Sequence, residues 1–341
     1  MSTFAANPVT AAHRFSIAPM MQRTDRHFRY LARLITPQVR LYTEMVTSAA
    51  VVHGDRDHLL GYAPAEHPVA LQLGGSDPTE LAAAAASAAA YGYDEVNLNC
   101  GCPSDRVQAG AFGACLMRDP ARVATAVAAM RAALPAEVPV TVKTRLGVDD
   151  LYSYDYFRSF VERVAAAGCT VFQVHARKAW LAGLSPKENR ELPPLEYAWV
   201  YRLKRERPDL TVVVNGGVVS SAQAARHLEQ ADGVMIGRHA YAVPYDLGEF
   251  AARLCGGAAP SPRAAIVDAY LAYADAEITR GVPQRLVLRH LLNLYQGQAG
   301  ARRWRRGLAQ YLDDGAVALA RVAALARGMP VADMTATPQA S

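Results

Sequence analysis

No run of apolar residues in this 341-residue chain approaches the roughly 20 needed to cross a bilayer. The Ala-rich stretch Leu81–Ala90 is too short and has polar flanks, so no membrane span is expected. The N-terminus also lacks the basic-then-apolar order of a signal peptide, and a cytoplasmic protein is the expectation. Cysteine is sparse: Cys100, Cys102, Cys115, Cys169 and Cys255 are five, an odd number, without disulfide or zinc spacing. Reduced thiols in a reducing compartment follow, and no metal site is expected. No G-x-G-x-x-G follows the first strand candidate, which counts against a doubly wound dinucleotide-binding sheet.

What is present reads as an ordinary globular protein, with 51% hydrophobic and 20% charged residues and a mean hydropathy of +0.00. Such a chain can bury a large core and carry one large domain plus a smaller one. The net charge of +5 and pI of about 8.9 are compatible with a polyanionic partner and prove nothing alone.

From Phe15 to about Arg238, short β-branched runs alternate with helical stretches. Strands are predicted at Phe15–Met20, Leu41–Val46, Pro68–Gly74, Glu95–Asn99, Val140–Leu146, Thr170–Ala176, Thr211–Gly216 and Gly233–Gly237. Helices are predicted between them, among others at Pro78–Tyr91, Pro120–Leu134, Tyr154–Ala167 and Ser220–Gln230, several opening on Pro, Asp or Ser. Eight strand–helix units over this length fit a TIM (β/α)8 barrel. Near Ala258–Pro262 the composition turns to Gly, Ala and Pro, as a linker does. Beyond it only helices are predicted: Arg263–Arg280, Gln284–Tyr295, Ala301–Leu312 and Ala316–Ala326. The expected organisation is a barrel over 1–257, a small all-helical domain over 263–328 and a disordered tail over 329–341.

In a TIM barrel the chemistry sits where the strands end. Those ends carry Ala18-Pro19-Met20, Gln72, Asn99, then Lys143 with Arg145, then His175 with Arg177. Lys143 lies inside a run that otherwise reads as buried, which is costly unless an anion or partner meets it. A lone strand histidine is more often a satisfied core residue. The company of His175 at the same level of successive strands shifts the reading toward function. The last two strands end Asn215-Gly216-Gly217 and Gly237-Arg238. Paired glycines are mostly just turns, but two such loops at the phosphate-binding end of this fold, with an arginine, form a more specific signal. A phosphorylated cofactor fits best, and the missing dinucleotide fingerprint favours FMN.

Asn97-Leu98-Asn99-Cys100-Gly101-Cys102-Pro103-Ser104 is the most informative run. Alternation puts Asn97 and Asn99 on the interior face and Leu98 and Cys100 on the helix side. Cys102 lies beyond the strand, in the loop at the active face. A thiol with a reference pKa of about 8.5 can deliver a proton at neutral pH. A nucleophilic role, with His175 as its base, stays open at this point. Gly110, Gly113 and their small neighbours predict a mobile loop over the site. Between Gln284 and Arg306 stand six arginines and no acid, and Arg302-Arg303-Trp304-Arg305-Arg306 mixes dense positive charge with an aromatic. Most charge runs are solvated faces; this mix of an aromatic with dense positive charge suits phosphate and base contact with RNA.

These residues resemble the tRNA-dihydrouridine synthase family, A type, over about Arg14–Ala326. The resemblance rests on Ala18-Pro19-Met20, Gly101-Cys102-Pro103-Ser104-Asp105-Arg106-Val107, Phe112-Gly113-Ala114-Cys115-Leu116, Ser185-Pro186-Lys187-Glu188-Asn189-Arg190 and Gly300-Ala301-Arg302. It implies reduction of uridines in the tRNA D-loop, at positions 20 and 20a, to dihydrouridine. FMN would be held by Ala18, Pro19, Met20, Gln72, Lys143, His175, Asn215, Gly216, Gly217, Gly237 and Arg238, with NADPH as transient reductant. Cys102 would protonate C5 of the uracil while hydride reaches C6. Contacts to tRNA would come from Gly101, Lys187, Arg190, Arg302 and Arg305. A monomer is expected. Cys100 departs from the family pattern, which has an apolar non-cysteine residue there. Two rival readings remain: an FMN barrel oxidoreductase on a free small molecule, of the dihydroorotate dehydrogenase kind, and a non-catalytic RNA-binding protein.

Overall fold

The computed structural model describes residues 8–312 and 318–330. All eight predicted strands form: β1 Phe15–Ile17, β2 Leu41–Thr47, β3 Val69–Gly74, β4 Glu95–Cys100, β5 Val140–Arg145, β6 Val171–His175, β7 Thr211–Asn215 and β8 Gly233–Ile236. Their order is β1-β8-β7-β6-β5-β4-β3-β2, every pairing parallel. The circle closes where Ser16 bridges Arg40, with Ile17 N–H donating to the Arg40 carbonyl and Arg40 N–H to that of Phe15, both at 3.0 Å. This is the TIM barrel, with helices packed outside the sheet. β1 stops three residues short of the prediction. Ala18 makes the last ladder bond, to the Ile236 carbonyl, and Pro19 has no N–H to continue it.

The helices between strands start where short acceptors can cap them. Asp77 takes the N–H groups of Thr79 and Glu80, Asp119 that of Arg122, and Ser153 that of Tyr156. Pro78 and Pro120 then occupy first-turn positions where no N–H is needed. The apolar faces of these helices and the outward strand residues form one core, in which Leu98, Cys100 and Cys169 are fully buried. The helix-side placement of Cys100 therefore holds, and burial pushes its thiol pKa up.

The barrel floor is polar. Glu95, fully buried, accepts from His13 Nε2 at 2.7 Å, Arg40 at 3.0 Å, the Tyr42 hydroxyl at 2.7 Å and the Thr141 hydroxyl. Burial alone would raise this carboxyl; His13 and Arg40 outweigh it and hold the pKa at about 2.

Beyond residue 262 the chain is helical, at Arg263–Thr279, Gln284–Leu288, Ala301–Tyr311 and Ala318–Arg327. The single helix expected over Gln284–Tyr295 tightens into a 3-10 turn at Arg289–Asn293. That turn meets the barrel at Asp25, which caps helix Arg26–Ile35 through the N–H groups of His27 and Phe28. The same carboxylate pairs with His290 at 2.9 Å and with Arg289. Burial raises the Asp25 pKa, but His290, the Phe28 N–H and Arg289 override it and hold the carboxyl far below its usual range. Of the tail predicted over 329–341, Met329 is buried in the core; residues 331–341 lie outside the described ones.

Trp304 corrects one expectation. It is fully buried, its ring tilted against that of Tyr295 with centroids 4.6 Å apart, and its Nε1 donates to the Leu291 carbonyl at 2.7 Å. It anchors helix Ala301–Tyr311 with Leu308, one turn away, while Arg302, Arg303, Arg305 and Arg306 are exposed. It therefore offers no face to a base.

Candidate active site

A cavity of about 830 Å³ opens at the carboxyl ends of the strands, within the usual range of roughly 300–1,000 Å³ for ligand pockets. All eleven residues expected at the cofactor line it: Ala18, Pro19 and Met20 after β1, Gln72 in β3, Lys143 in β5 and His175 in β6. Asn215, Gly216 and Gly217 after β7, and Gly237 and Arg238 after β8, complete them. Gly101, Cys102 and Arg190 line the same cavity. Lys187, exposed in the loop before Arg190, does not, and neither do Arg302 and Arg305 on their helix.

Strand register sets the walls. Asn99 pairs with Lys143, Arg145 with His175, and His175 with Asn215, so these side chains stand side by side on the interior face. Burial, then the neighbouring Arg145, lowers the Lys143 pKa to about 8. Burial also leads for His175, followed by Arg145, Lys143, Arg177 and Arg238; its pKa falls well below 6.5 and the ring is neutral at pH 7. The cavity thus places the cations Lys143 and Arg145 beside a neutral His175.

Gly216 has φ +113° and Gly217 φ +71°, backbone that L side chains rarely adopt. A Cβ on Gly216 would stand 2.6 Å from His175 Cδ2, and one on Gly217 2.6 Å from Leu195 Cδ1. The Tyr197 hydroxyl donates to the Gly216 carbonyl at 2.6 Å and pins the turn. Arg238 pairs at 2.6 Å with Glu191, but both ends are nearly half exposed, so the pair is weak and its guanidinium is available to an anion.

Cys102 is held through its backbone. The side-chain oxygen of Asn99 accepts the N–H groups of both Gly101 and Cys102 at 3.0 Å, and the Cys102 carbonyl accepts from Ala114 N–H at 2.9 Å. The thiol lies 3.5 Å from the Ser104 hydroxyl. The loop predicted to be mobile is packed down instead. Phe112 is buried against Gly74 and Gly110, and a Cβ on Gly113, at φ +65°, would stand 2.6 Å from the Cys102 carbonyl. These glycines serve close approach to the thiol loop.

Arg145 has a role that sequence reasoning missed. Buried, it donates to the Gly101 carbonyl at 2.8 Å and to those of Lys178 and Asn189 at 3.0 and 2.9 Å. It ties the thiol loop to the loop bearing Lys187 and Arg190. Its spacing of two from Lys143, on one strand face, was the available signal. Arg23, over the Tyr241 ring at 5.2 Å on the cavity wall, carried no comparable signal.

A TIM barrel with a cation-lined cavity and a thiol loop at its carboxyl face defines a class of barrel enzyme. The chain belongs to the dihydrouridine synthase family: the model described as "Dihydrouridine synthase (Dus)" matches residues 16–327. It is similar to the tRNA-dihydrouridine(20/20a) synthase of Xanthomonas axonopodis pv. citri, 55% identical over 308 residues, 90% of this chain and 91% of that one. It is also 52% identical over 304 residues to the protein of that name from Vibrio cholerae, covering 89% of this chain and 92% of the relative. Among solved structures, morphinone reductase gives a TM-score of 0.48 at 15% identity, covering 73% of this chain and 87% of that one. Among the described residues no helix is long and apolar enough to cross a membrane, and no cluster of His, Cys, Asp and Glu is arranged for a metal ion.

Proposed function

We propose that this dihydrouridine synthase reduces the C5–C6 double bond of uridines in the tRNA D-loop, at positions 20 and 20a, with FMN bound in the cavity and NADPH as reductant. The observation that carries this reading is the convergence of Cys102 and all eleven expected cofactor residues on one cavity. The residues fit the cofactor. Lys143 offers a cation with no ion-pair partner among the described residues, Gly216 and Gly217 leave backbone open where a Cβ would intrude, and Arg238 stands beside them for a phosphate.

FMN there supplies the hydride that adds to C6. Hydride addition builds enolate charge toward C5 and O4, and the Cys102 thiol gives its proton to C5, completing the saturated bond. Lys143 stabilises negative charge at the ring edge beside it. Neutral His175 donates or accepts one hydrogen bond without adding charge. The uracil must leave its stack to reach this depth, so Gly101, Lys187 and Arg190 meet a flipped nucleotide and its flanks. Arg302 and Arg305, exposed on the far helix, take phosphates, as a helical domain over 263–328 serving tRNA binding requires. The protein works in this reading as a cytoplasmic monomer.

The test is direct. Purified yellow protein with NADPH should form dihydrouridine at positions 20 and 20a of unmodified tRNA. Reduction of free uridine or orotate with none on tRNA would establish the small-molecule alternative, and RNA binding without turnover the non-catalytic one.

A further inference from the structure

Below the cavity the barrel interior holds a continuous chain of side-chain amides. Asn99 Oδ1 takes the N–H groups of Gly101 and Cys102, so its Nδ2 must face the other way; it donates to Gln72 Oε1 at 2.8 Å. Gln72 Nε2 donates in turn to Asn97 Oδ1 at 2.8 Å. Asn97 Nδ2 spends both hydrogens downward, on the Thr141 hydroxyl at 2.7 Å and on Gln173 Oε1 at 2.8 Å. Gln173 Nε2 donates to the Tyr42 hydroxyl at 2.9 Å, and both hydroxyls donate to Glu95. Every bond in this chain runs in one direction, from the thiol loop to the carboxylate. Glu95 can only accept, and the backbone amides above can only donate, so neither end permits any amide to flip.

We propose that this chain fixes the polarity with which Asn99 and Gln72 meet the ligand, making Asn97, Gln173, Tyr42 and Thr141 positioning residues for uridine reduction. Asn97 and Gln173 are fully buried and do not line the cavity, so they act only through their neighbours. The geometry leaves Asn99 Nδ2 and Gln72 Nε2 one further hydrogen each beyond the bonds above. Both residues line the cavity, so two N–H donors are available to a ligand there, matched to carbonyl oxygens of a pyrimidine-type ring and hostile to N–H groups. Asn99 also carries the Cys102 backbone, so one amide couples ring recognition to thiol placement. The chain forks below Asn97, one branch through Thr141 and one through Gln173 and Tyr42, and both reach Glu95.

The fork supplies the test, which rests on the proposed function. Tyr42→Phe and Thr141→Val each cut one branch by removing one oxygen or exchanging it for a methyl. In the flavin-loaded full chain with NADPH and unmodified tRNA, each single variant should lower kcat by less than about 3-fold. The double variant should lose at least about 30-fold, more than the product of the singles, with KM for tRNA within about 2-fold. The visible band of the bound flavin should shift in the double variant as its carbonyl partners loosen. Asn97→Leu, if it folds by circular dichroism, should match the double variant. A double variant that equals the product of its singles, with an unshifted flavin band, overturns the proposal and leaves these residues as packing. Wild-type turnover on tRNA tests the underlying function separately, since only variant-to-wild-type ratios bear on the chain.

Discussion

Replacing Gly216 by alanine should cost the protein its flavin. The φ of +113° lies outside even the left-handed helical region, and holding a non-glycine residue there costs about 1–3 kcal/mol. The added methyl meets His175 Cδ2 at 2.6 Å, its Nε2 at 3.0 Å and Leu195 Cδ2 at 3.1 Å. The methyl therefore presses on His175, which lines the cavity the cofactor needs, as well as on Leu195. Overpacking of this kind costs about 1–3 kcal/mol more. If only about 2 kcal/mol of the total falls on the bound state, cofactor affinity drops roughly 30-fold. The assay is flavin absorbance per mole of protein after dialysis, with urea unfolding of the flavin-free protein alongside. A Gly216→Ala protein that keeps its full flavin complement and its unfolding midpoint would show that this turn is not in contact with the cofactor.

Three further outcomes are expected. Cys102→Ala should retain flavin colour and tRNA affinity while its turnover falls by about 10²–10⁴-fold; unchanged turnover would remove Cys102 as the acid. Arg302→Ala combined with Arg305→Ala should weaken tRNA binding and reduce the log–log salt slope by about 0.7–0.9 per lost phosphate contact, with NADPH oxidation intact. The Glu95 pKa is held at about 2 against a reference of 4.5, so its contribution is complete above pH 4.5 and is lost as pH falls toward 2. Urea titrations across that window should find Glu95→Gln less stable at neutral pH, because the carboxylate charge facing His13 and Arg40 is gone, and flatter toward acid than wild type; equal acid slopes would show that Glu95 is not depressed.

The alternation of β-branched runs with capped helices made the barrel readable, because each strand and helix carries its own period and its own punctuation. The strand ends were readable for the same reason: once Arg145, His175 and Asn215 are placed on inward positions, parallel register brings them level, with Lys143 two residues before Arg145 on the same face. What stayed hidden depends on partners far apart in the chain. Glu95 meets His13 and Arg40, 82 and 55 residues away, and nothing near it in sequence announces either. The junction at Asp25 joins residues 264 and 265 positions distant. Trp304 was misread because charge density along a segment does not say which helix face is dry. The spacing of Trp304 and Leu308 on one face was the better guide. The glycines at 110 and 113 were read as freedom of motion, whereas they allow Phe112 and the thiol loop to approach closely.

The amide chain inside the barrel also bears on how this sequence reaches one structure. Strands buried on both faces read as nearly uniform apolar runs, and such runs can pair in neighbouring registers at little cost. Moving β4 by one residue would turn Leu98 and Cys100 inward and carry Asn97 and Asn99 into the dry shell beneath the helices. Asn97 would lose Thr141 and Gln173, Gln72 would lose both its amide partners, and the Glu95 carboxylate would leave its cluster, each orphaned group costing about 1–3 kcal/mol. Mispaired barrels are thereby penalised far more heavily than apolar contacts alone could manage. The interior amides thus set β4 against a one-residue slip.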